Sequence, residues 1–248
     1  MRKGPSQELS GAEAILHRST IRECIHMKVQ SIRLMVMKRI AKAMPNAPHR
    51  LRRTMNFALY IVWKICPTVL PVPQVEKARV IREWAAKRDI KVLVETGTYL
   101  GDTIQSTRHS FEQIFSIELD RTLHNRARLR FAKARNVTLI NGDSSLALPT
   151  VLSKLDRPTL FWLDAHFSEG ITAKGSCVTP ILKEVELIVK SRSGTDVILI
   201  DDAPLFDGTN GYPTIESVTL HVKRIWPAVK VCSESDIIIL SNPEFDSS

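Results

Sequence analysis

Apolar positions along the chain follow two different periods. Ile21, Ile25, Val29, Ile32, Val36 and Ile40 recur every three or four residues, the face of an amphipathic helix. Ser10 and Glu13 ahead of it have the spacing of a capping box, and Pro45 and Pro48 should end it. A second apolar stretch, residues 57–72, contains Lys64, Pro67 and Pro71. It falls short of the ~20 predominantly apolar residues that span a membrane. From residue 91 onward, short apolar runs alternate with helical stretches. The runs are 91–95 (KVLVE), 114–118 (IFSIE), 137–140 (VTLI), 160–163 (LFWL) and 197–200 (VILI). Continuous apolar strands separated by helices predict a parallel sheet covered on both faces. Residues 229–231 and 237–240, joined only by a short polar link at 232–236, predict an antiparallel hairpin that closes the sheet. Residues 74–87 predict a covering helix just before the first strand. The expected fold class is therefore α/β: a Rossmann-like doubly wound sheet of five parallel strands plus a C-terminal antiparallel hairpin, seven strands in all. The expected domains are a basic helical N-terminal extension over residues 1–72 and the Rossmann-like domain over 73–248.

Composition sharpens this division. The 248 residues are 44% hydrophobic and 25% charged, an ordinary globular balance that excludes a disordered chain, a collagen-like repeat and a coiled-coil rod. Cys24, Cys66, Cys177 and Cys232 lie far apart with no C-x-x-C pair, which argues against a zinc ribbon, a thioredoxin-type site and a disulfide scaffold. A reducing compartment fits better. Residues 1–90 hold 18 Lys and Arg against 6 Asp and Glu, a net charge of +12, whereas residues 91–248 hold 17 against 20, a net of −3. A basic front end before a mildly acidic body suggests contact with something anionic. It is either an arm that packs on the body or forms a homo-oligomer, or a peripheral membrane contact at the lipid interface. Nucleic acid is disfavoured, because no aromatic and basic residues interleave in the way that stacks bases. No apolar run follows Met1-Arg2-Lys3 within the next twenty residues, so no secretory signal is expected. The expected location is cytoplasmic, with or without membrane association.

In an open sheet of this kind ligands bind beyond the carboxyl ends of the strands. The first strand ends in Glu95-Thr96-Gly97-Thr98-Tyr99-Leu100-Gly101-Asp102-Thr103. Its two glycines suit a tight turn and close backbone approach. The spacing is not the dinucleotide fingerprint G-x-G-x-x-G, and Glu95 suits a cationic ligand better than a pyrophosphate. The second strand ends in Glu118-Leu119-Asp120, where Glu118 is placed to accept from a ribose diol and Asp120 reads as a helix cap. The third ends in Asn141-Gly142-Asp143-Ser144, with Asp143 either an adenine contact or a cap. The fourth ends in Asp164-Ala165-His166 and the fifth in Asp201-Asp202. Carboxylates at adjacent strand ends repel unless a cation lies between them, and a hard divalent ion takes oxygen ligands. The alternative is that one Asp caps a helix and another binds backbone amides. His166 reads as a catalytic base, a metal ligand or a solvent-side histidine.

The series VLVETGTYLGDT, FSIELD, INGDSS, FWLDAHFSEG and LIDDAPLF resembles class I S-adenosylmethionine-dependent methyltransferases, over about residues 75–241. It is similar to bacterial methyltransferases with D-A-H and I-D-D motifs, and its aspartates look like those of macrocin-type sugar O-methyltransferases. The resemblance implies S-adenosylmethionine as cofactor. The loop with Glu95, Gly97, Thr98, Gly101 and Thr103 would cradle its methionine part, Glu118 would hold the ribose, and Asp143 and Ser144 would flank the adenine. It also implies a divalent ion, Mg2+, on Asp164, Asp201 and Asp202, and Asp164 or His166 as the group that takes the acceptor's proton. The loop E-T-G-T-Y-L-G departs from the commoner E-x-G-x-G-x-G. The implied activity is O-methylation of a hydroxylated small molecule, for instance a sugar. The competing readings are a non-catalytic binding or assembly module, and an enzyme of other chemistry on the same scaffold.

Overall fold

The computed structural model describes residues 47, 49–65, 71–164, 180–192, 194–209 and 211–245. The helix expected over 21–40 and His166 lie outside them. The chain divides into two compact units, Met1–Pro73 and Gln74–Ser248.

The described part of the first unit is helix α1 (His49–Ile65). Apolar side chains recur along it at helical spacing, and Phe57, Ile61, Val62 and Ile65 are exposed. Tyr60 and Trp63 stack with centroids 6.4 Å apart, and the Lys64 ammonium lies 5.4 Å from each ring. Among the described residues no helix is long and apolar enough to cross a membrane.

The second unit is built on seven strands: β1 (Val92–Thr96), β2 (Gln113–Glu118), β3 (Val137–Asn141), β4 (Thr159–Leu163), β5 (Val197–Ile200), β6 (Lys230–Glu234) and β7 (Ile237–Ser241). Their order is β3-β2-β1-β4-β5-β7-β6. The first five are parallel, and β7 runs antiparallel to both β5 and β6. The expected Rossmann-like doubly wound sheet is thus present, with one local difference. The link expected over 232–236 shrinks to Ser235 and Asp236, both in left-handed backbone with φ of 49° and 59°. Cys232, Ser233 and Glu234 join the ladder instead, opposite Ile239, Ile238 and Ile237. An edge strand tolerates such polar side chains because one of its sides faces solvent.

Strand parity explains why the body needs helices on both faces. Val92, Val94, Phe115, Ile117, Phe161, Leu163, Ile198 and Ile200 pack against α5 (Ser144–Leu152), α6 (Ile181–Ser191) and α7 (Ile215–Ile225). The residues between them, Leu93, Ile114, Leu160, Trp162, Val197 and Leu199, pack against α2 (Gln74–Lys87), α3 (Asp102–Thr107) and α4 (Arg121–Arg130). With both faces filled by apolar side chains, polar chemistry is confined to the strand ends.

At the amino end Arg192 and Asp196 form a polar pin between strands. Arg192 donates to Asp196 Oδ2 from Nε at 2.9 Å and to the Leu155 and Arg157 carbonyls at 2.7 and 2.6 Å. Asp196 also accepts from the Thr159 amide at 2.8 Å. The carboxyl end is different. There the strand order reverses, with β2 and β4 on opposite sides of β1, and in open sheets ligands bind beyond the carboxyl ends at such a switch point.

Phe161 and Trp162 are fully buried, one on each face of β4. Phe161→Ala should cost about 3–5 kcal/mol through lost burial and the cavity left behind, measured by denaturant unfolding of the full chain. A loss under about 1 kcal/mol would mean that this face is not close-packed.

Candidate functional site

The loop after β1 is held open by left-handed backbone at three positions: Gly97 (φ 87°), Tyr99 (φ 46°) and Gly101 (φ 72°). The Gly97 amide continues the β1–β2 ladder by donating to the Ile117 carbonyl at 2.9 Å, and Gly101 closes a turn onto the Thr98 carbonyl at 2.8 Å. Glu118 locks this loop to β2. One of its carboxylate oxygens accepts from the Tyr99 amide at 2.7 Å and the other from the Asp120 amide at 2.8 Å. From the other side Arg130 Nη1 donates to the Leu100 carbonyl and, at 2.7 Å, to Asp102 Oδ1. Gly101 has no alternative: a Cβ there would meet Phe131 Cε2 at 2.6 Å, in a backbone conformation that side chains disfavour.

Beneath the loop lies a buried polar layer. Glu95, fully buried, accepts a short hydrogen bond from Ser116 Oγ, and Ser116 shares a 2.6 Å bond with Thr98 Oγ1. Among the described residues Glu95 Oε1 has no hydrogen-bond partner. Burial pushes this carboxyl up to about 8, against the pull of the Ser116 hydroxyl. Thr103 accepts from Gln74 Nε2 at 3.0 Å, so it ties α3 to the start of α2. Thr98 and Thr103 therefore fasten the loop from below.

On the opposite face a second carboxyl, Glu184, occupies the matching position. It is fully buried on the first turn of α6, and Thr96 Oγ1 donates to its Oε2 at 3.3 Å. Its Oε1 has no partner. Burial raises it to about 7, while the Ser144 and Thr96 hydroxyls pull the other way. The sequence reading missed Glu184, since a glutamate in the first turn of a helix is an ordinary surface choice.

Two aspartates cap helices. Asp120 accepts from the Thr122 and Leu123 amides at 2.7 and 2.8 Å at the start of α4. Asp143 accepts from the Ser145 amide at 2.9 Å and the Ser145 hydroxyl at 2.7 Å at the start of α5. Ser144 is buried beside Asp143.

Asp164 and Asp201 continue the strand ladder, their amides donating to the Thr96 and Leu163 carbonyls at 3.0 Å each. This sets the two residues side by side beyond β4 and β5. Asp202, in left-handed backbone (φ 56°), turns back so that its amide reaches Asp201 Oδ1 at 2.8 Å. One oxygen from each of Asp164, Asp201 and Asp202 lies within 4.8 Å of the others. A cation already meets two of them: Lys77, from α2, contacts Asp201 Oδ2 and lies 3.3 Å from Asp202 Oδ1. Burial, with Asp202 beside it, pushes the Asp201 carboxyl up, and the Lys77 ammonium opposes this. These carboxylates in turn hold the Lys77 ammonium in its charged form despite its burial. Tyr212 is a further group that sequence reasoning passed over. Its ring meets Phe206 edge-on at 5.4 Å, and burial, with Asp202 and Asp164 nearby, holds its hydroxyl protonated.

No protein-family model matches the chain, and no curated protein matches it. Solved structures do resemble it. The O-methyltransferase TomG from Streptomyces achromogenes, in complex with SAM, is 18% identical over 66% of this chain and 78% of that one, with a TM-score of 0.47. An O-methyltransferase from Bacillus cereus, in complex with SAH, is 14% identical over 86% and 98%, with a TM-score of 0.49. An SAH-bound methyltransferase from Podospora anserina is 17% identical over 84% and 94%, with a TM-score of 0.47. At such identities the likeness concerns the architecture, and a functional reading has to stand on this chain's own residues.

Glu95 and Glu184 make stability depend on pH. In the unfolded chain each titrates near 4.5; in the fold, near 8 and near 7. Between these limits the native state holds protons that the unfolded state has released, so stability falls as pH rises from 4.5 toward 7 and 8. Glu184→Gln and Glu95→Gln should each flatten that fall in thermal midpoints measured across the window. Variants that keep the full wild-type slope would show that neither carboxyl is protonated in the fold. Separately, Gly101→Ala should lower stability by about 1–3 kcal/mol, from clash and left-handed strain together, measured by denaturant unfolding.

Proposed function

We propose that the chain is an S-adenosylmethionine-dependent methyltransferase that transfers a methyl group to a hydroxyl of a small molecule, for instance a sugar. The observation that carries this reading is the juxtaposition at the β1–β4 crevice. A glycine-containing loop, opened by left-handed backbone at 97, 99 and 101, is pinned by the carboxylate of Glu118 at the end of the neighbouring strand. The donor set suits a cofactor with a ribose diol and a cationic centre. Each Glu118 oxygen accepts one backbone amide and keeps lone-pair capacity for a ribose hydroxyl. Asp143 and Ser144 stand at the start of α5, where they would flank an adenine. Gly97 and Gly101 shape the cradle, with Glu95, Thr98 and Thr103 supporting it from the buried side.

When bound, S-adenosylmethionine supplies an electrophilic methyl group on a sulfonium. What remains for the protein is alignment, exclusion of water and disposal of the acceptor's proton. The Asp164 carboxylate, half-buried at the end of β4, is the group that would take this proton, with His166 as its proposed helper. The resemblance implies Mg2+ on the oxygen-only trio of Asp164, Asp201 and Asp202, where the ion would lower the pKa of an acceptor hydroxyl. Lys77 already pairs with Asp201 and Asp202, so no step of this proposal depends on the ion.

The basic N-terminal part is a separate element. Exposed Phe57, Ile61, Val62 and Ile65 on α1, with Arg50, Arg53 and Lys64 on the same helix, suit an anionic lipid interface or a second copy of the chain. Sedimentation of the full chain with anionic vesicles, set against neutral ones, separates these readings. Failure to sediment with either removes the membrane reading.

Calorimetric titration tests the cofactor assignment. The full chain should bind S-adenosylmethionine in the micromolar range, roughly −8 kcal/mol. Glu118→Gln should weaken binding by about tenfold or more, because the amide can no longer accept at both oxygens. Absence of binding to the wild-type chain would sink the methyltransferase reading and favour a binding module on this fold.

A further inference from the structure

The acidic trio at the ends of β4 and β5 has a counter-charge built into the chain. Lys77 contacts Asp201 Oδ2 and lies 3.3 Å from Asp202 Oδ1. Its side chain is only 15% exposed and that of Asp201 only 2%, so this is not a solvated surface pair. Asp201 has both oxygens engaged, Oδ2 by Lys77 and Oδ1 by the Asp202 amide at 2.8 Å.

The lysine is also held in place by the helix that carries it. Gln74 donates to Thr103 at 3.0 Å one turn before it, and Glu76 accepts from Arg79 at 2.7 Å and from Ser235 Oγ at 3.0 Å beside it. Val80, Ile81 and Ala85 bury the next turns in the core. With its backbone anchored on three sides, Lys77 has little freedom to swing out of the trio.

A divalent ion bound by one oxygen of each of the three would share Asp201 and Asp202 with the ammonium, and would leave that ammonium buried beside a second, larger positive charge. Like charges at such range in a poorly solvated site repel strongly. We propose that Lys77 is the resident cation of this trio, taking the place of a divalent ion through Asp201 and Asp202, so that the three carboxylates keep their positions without a metal. In this arrangement Lys77 is a positioning residue. The inference concerns the cation at the site and holds whether or not methyl transfer is the reaction.

Mn2+ is the probe. After removal of metals with EDTA, it is titrated into the full chain while free Mn2+ is followed by electron paramagnetic resonance. The wild-type chain should bind no Mn2+ at this site. Lys77→Met, which keeps the length of the side chain and removes its charge, should bind Mn2+ at least about tenfold more tightly, and Asp164→Asn in that background should abolish the gain. Equal Mn2+ affinity in wild type and Lys77→Met, whether tight or absent, overturns the proposal. Should Lys77→Met fail to fold, the wild-type chain decides by itself. A thermal midpoint indifferent to both Mg2+ and EDTA is expected, and a midpoint that Mg2+ raises and EDTA lowers overturns the proposal. Titration of S-adenosylmethionine into the same samples reads the cofactor assignment independently of either result.

Discussion

A parallel sheet covered on both faces leaves its polar groups only two places to go, and in this chain the carboxyl end receives more carboxylates than water can solvate. Glu95, Glu118, Glu184 and Asp201 are all nearly or fully buried there. Each carries a desolvation cost that only hydrogen bonds, protonation or a counter-charge can offset. All three are in use. Glu118 accepts two backbone amides. Burial raises Glu95 and Glu184 toward the neutral form, and Asp201 meets Lys77.

This arrangement gives α2 a larger role than that of a covering helix. Its Gln74 reaches the first turn of α3, its Lys77 reaches the end of β5, and its Glu76 reaches the β6–β7 turn. One helix therefore ties the glycine loop, the acidic trio and the closing hairpin into a single frame. The contrast with the amino end is informative. There the pair of Arg192 and Asp196 is saturated by surrounding backbone groups, whereas at the carboxyl end Glu95 and Glu184 each keep one buried oxygen without a hydrogen-bond partner among the described residues.

The architecture was legible in the chain because strand and helix periods are local properties. Runs such as VILI at 197–200 had the right length and apolar continuity for a strand buried on both faces, and the helix at Gln74–Lys87 has the predicted bounds. The hairpin was harder to read, since Cys232, Ser233 and Glu234 look like a loop until Ile237, Ile238 and Ile239 are set opposite them. At the site, Glu118, Asp143, Asp164, Asp201 and Asp202 all lie just at or beyond the ends of strands, as their position after apolar runs implied. What those carboxylates do was less legible. Asp120 and Asp143 cap helices, a role already read for the first and one of two read for the second, whereas Thr98 and Thr103, expected at the ligand, point into a buried network under the loop.

By itself, then, the sequence determined the fold class, the strand ends and the collection of acidic side chains at one edge of the sheet, because each of these follows from a pattern only a few residues long. Only the tertiary structure decided how that charge is balanced. Lys77 and Asp201 are 124 positions apart, Thr96 and Glu184 are 88 apart, and no local pattern marks one lysine or one glutamate of a helix as a buried partner. Pairing across such distances is set by the way helices settle onto the two faces of the sheet, and it becomes visible only when they have.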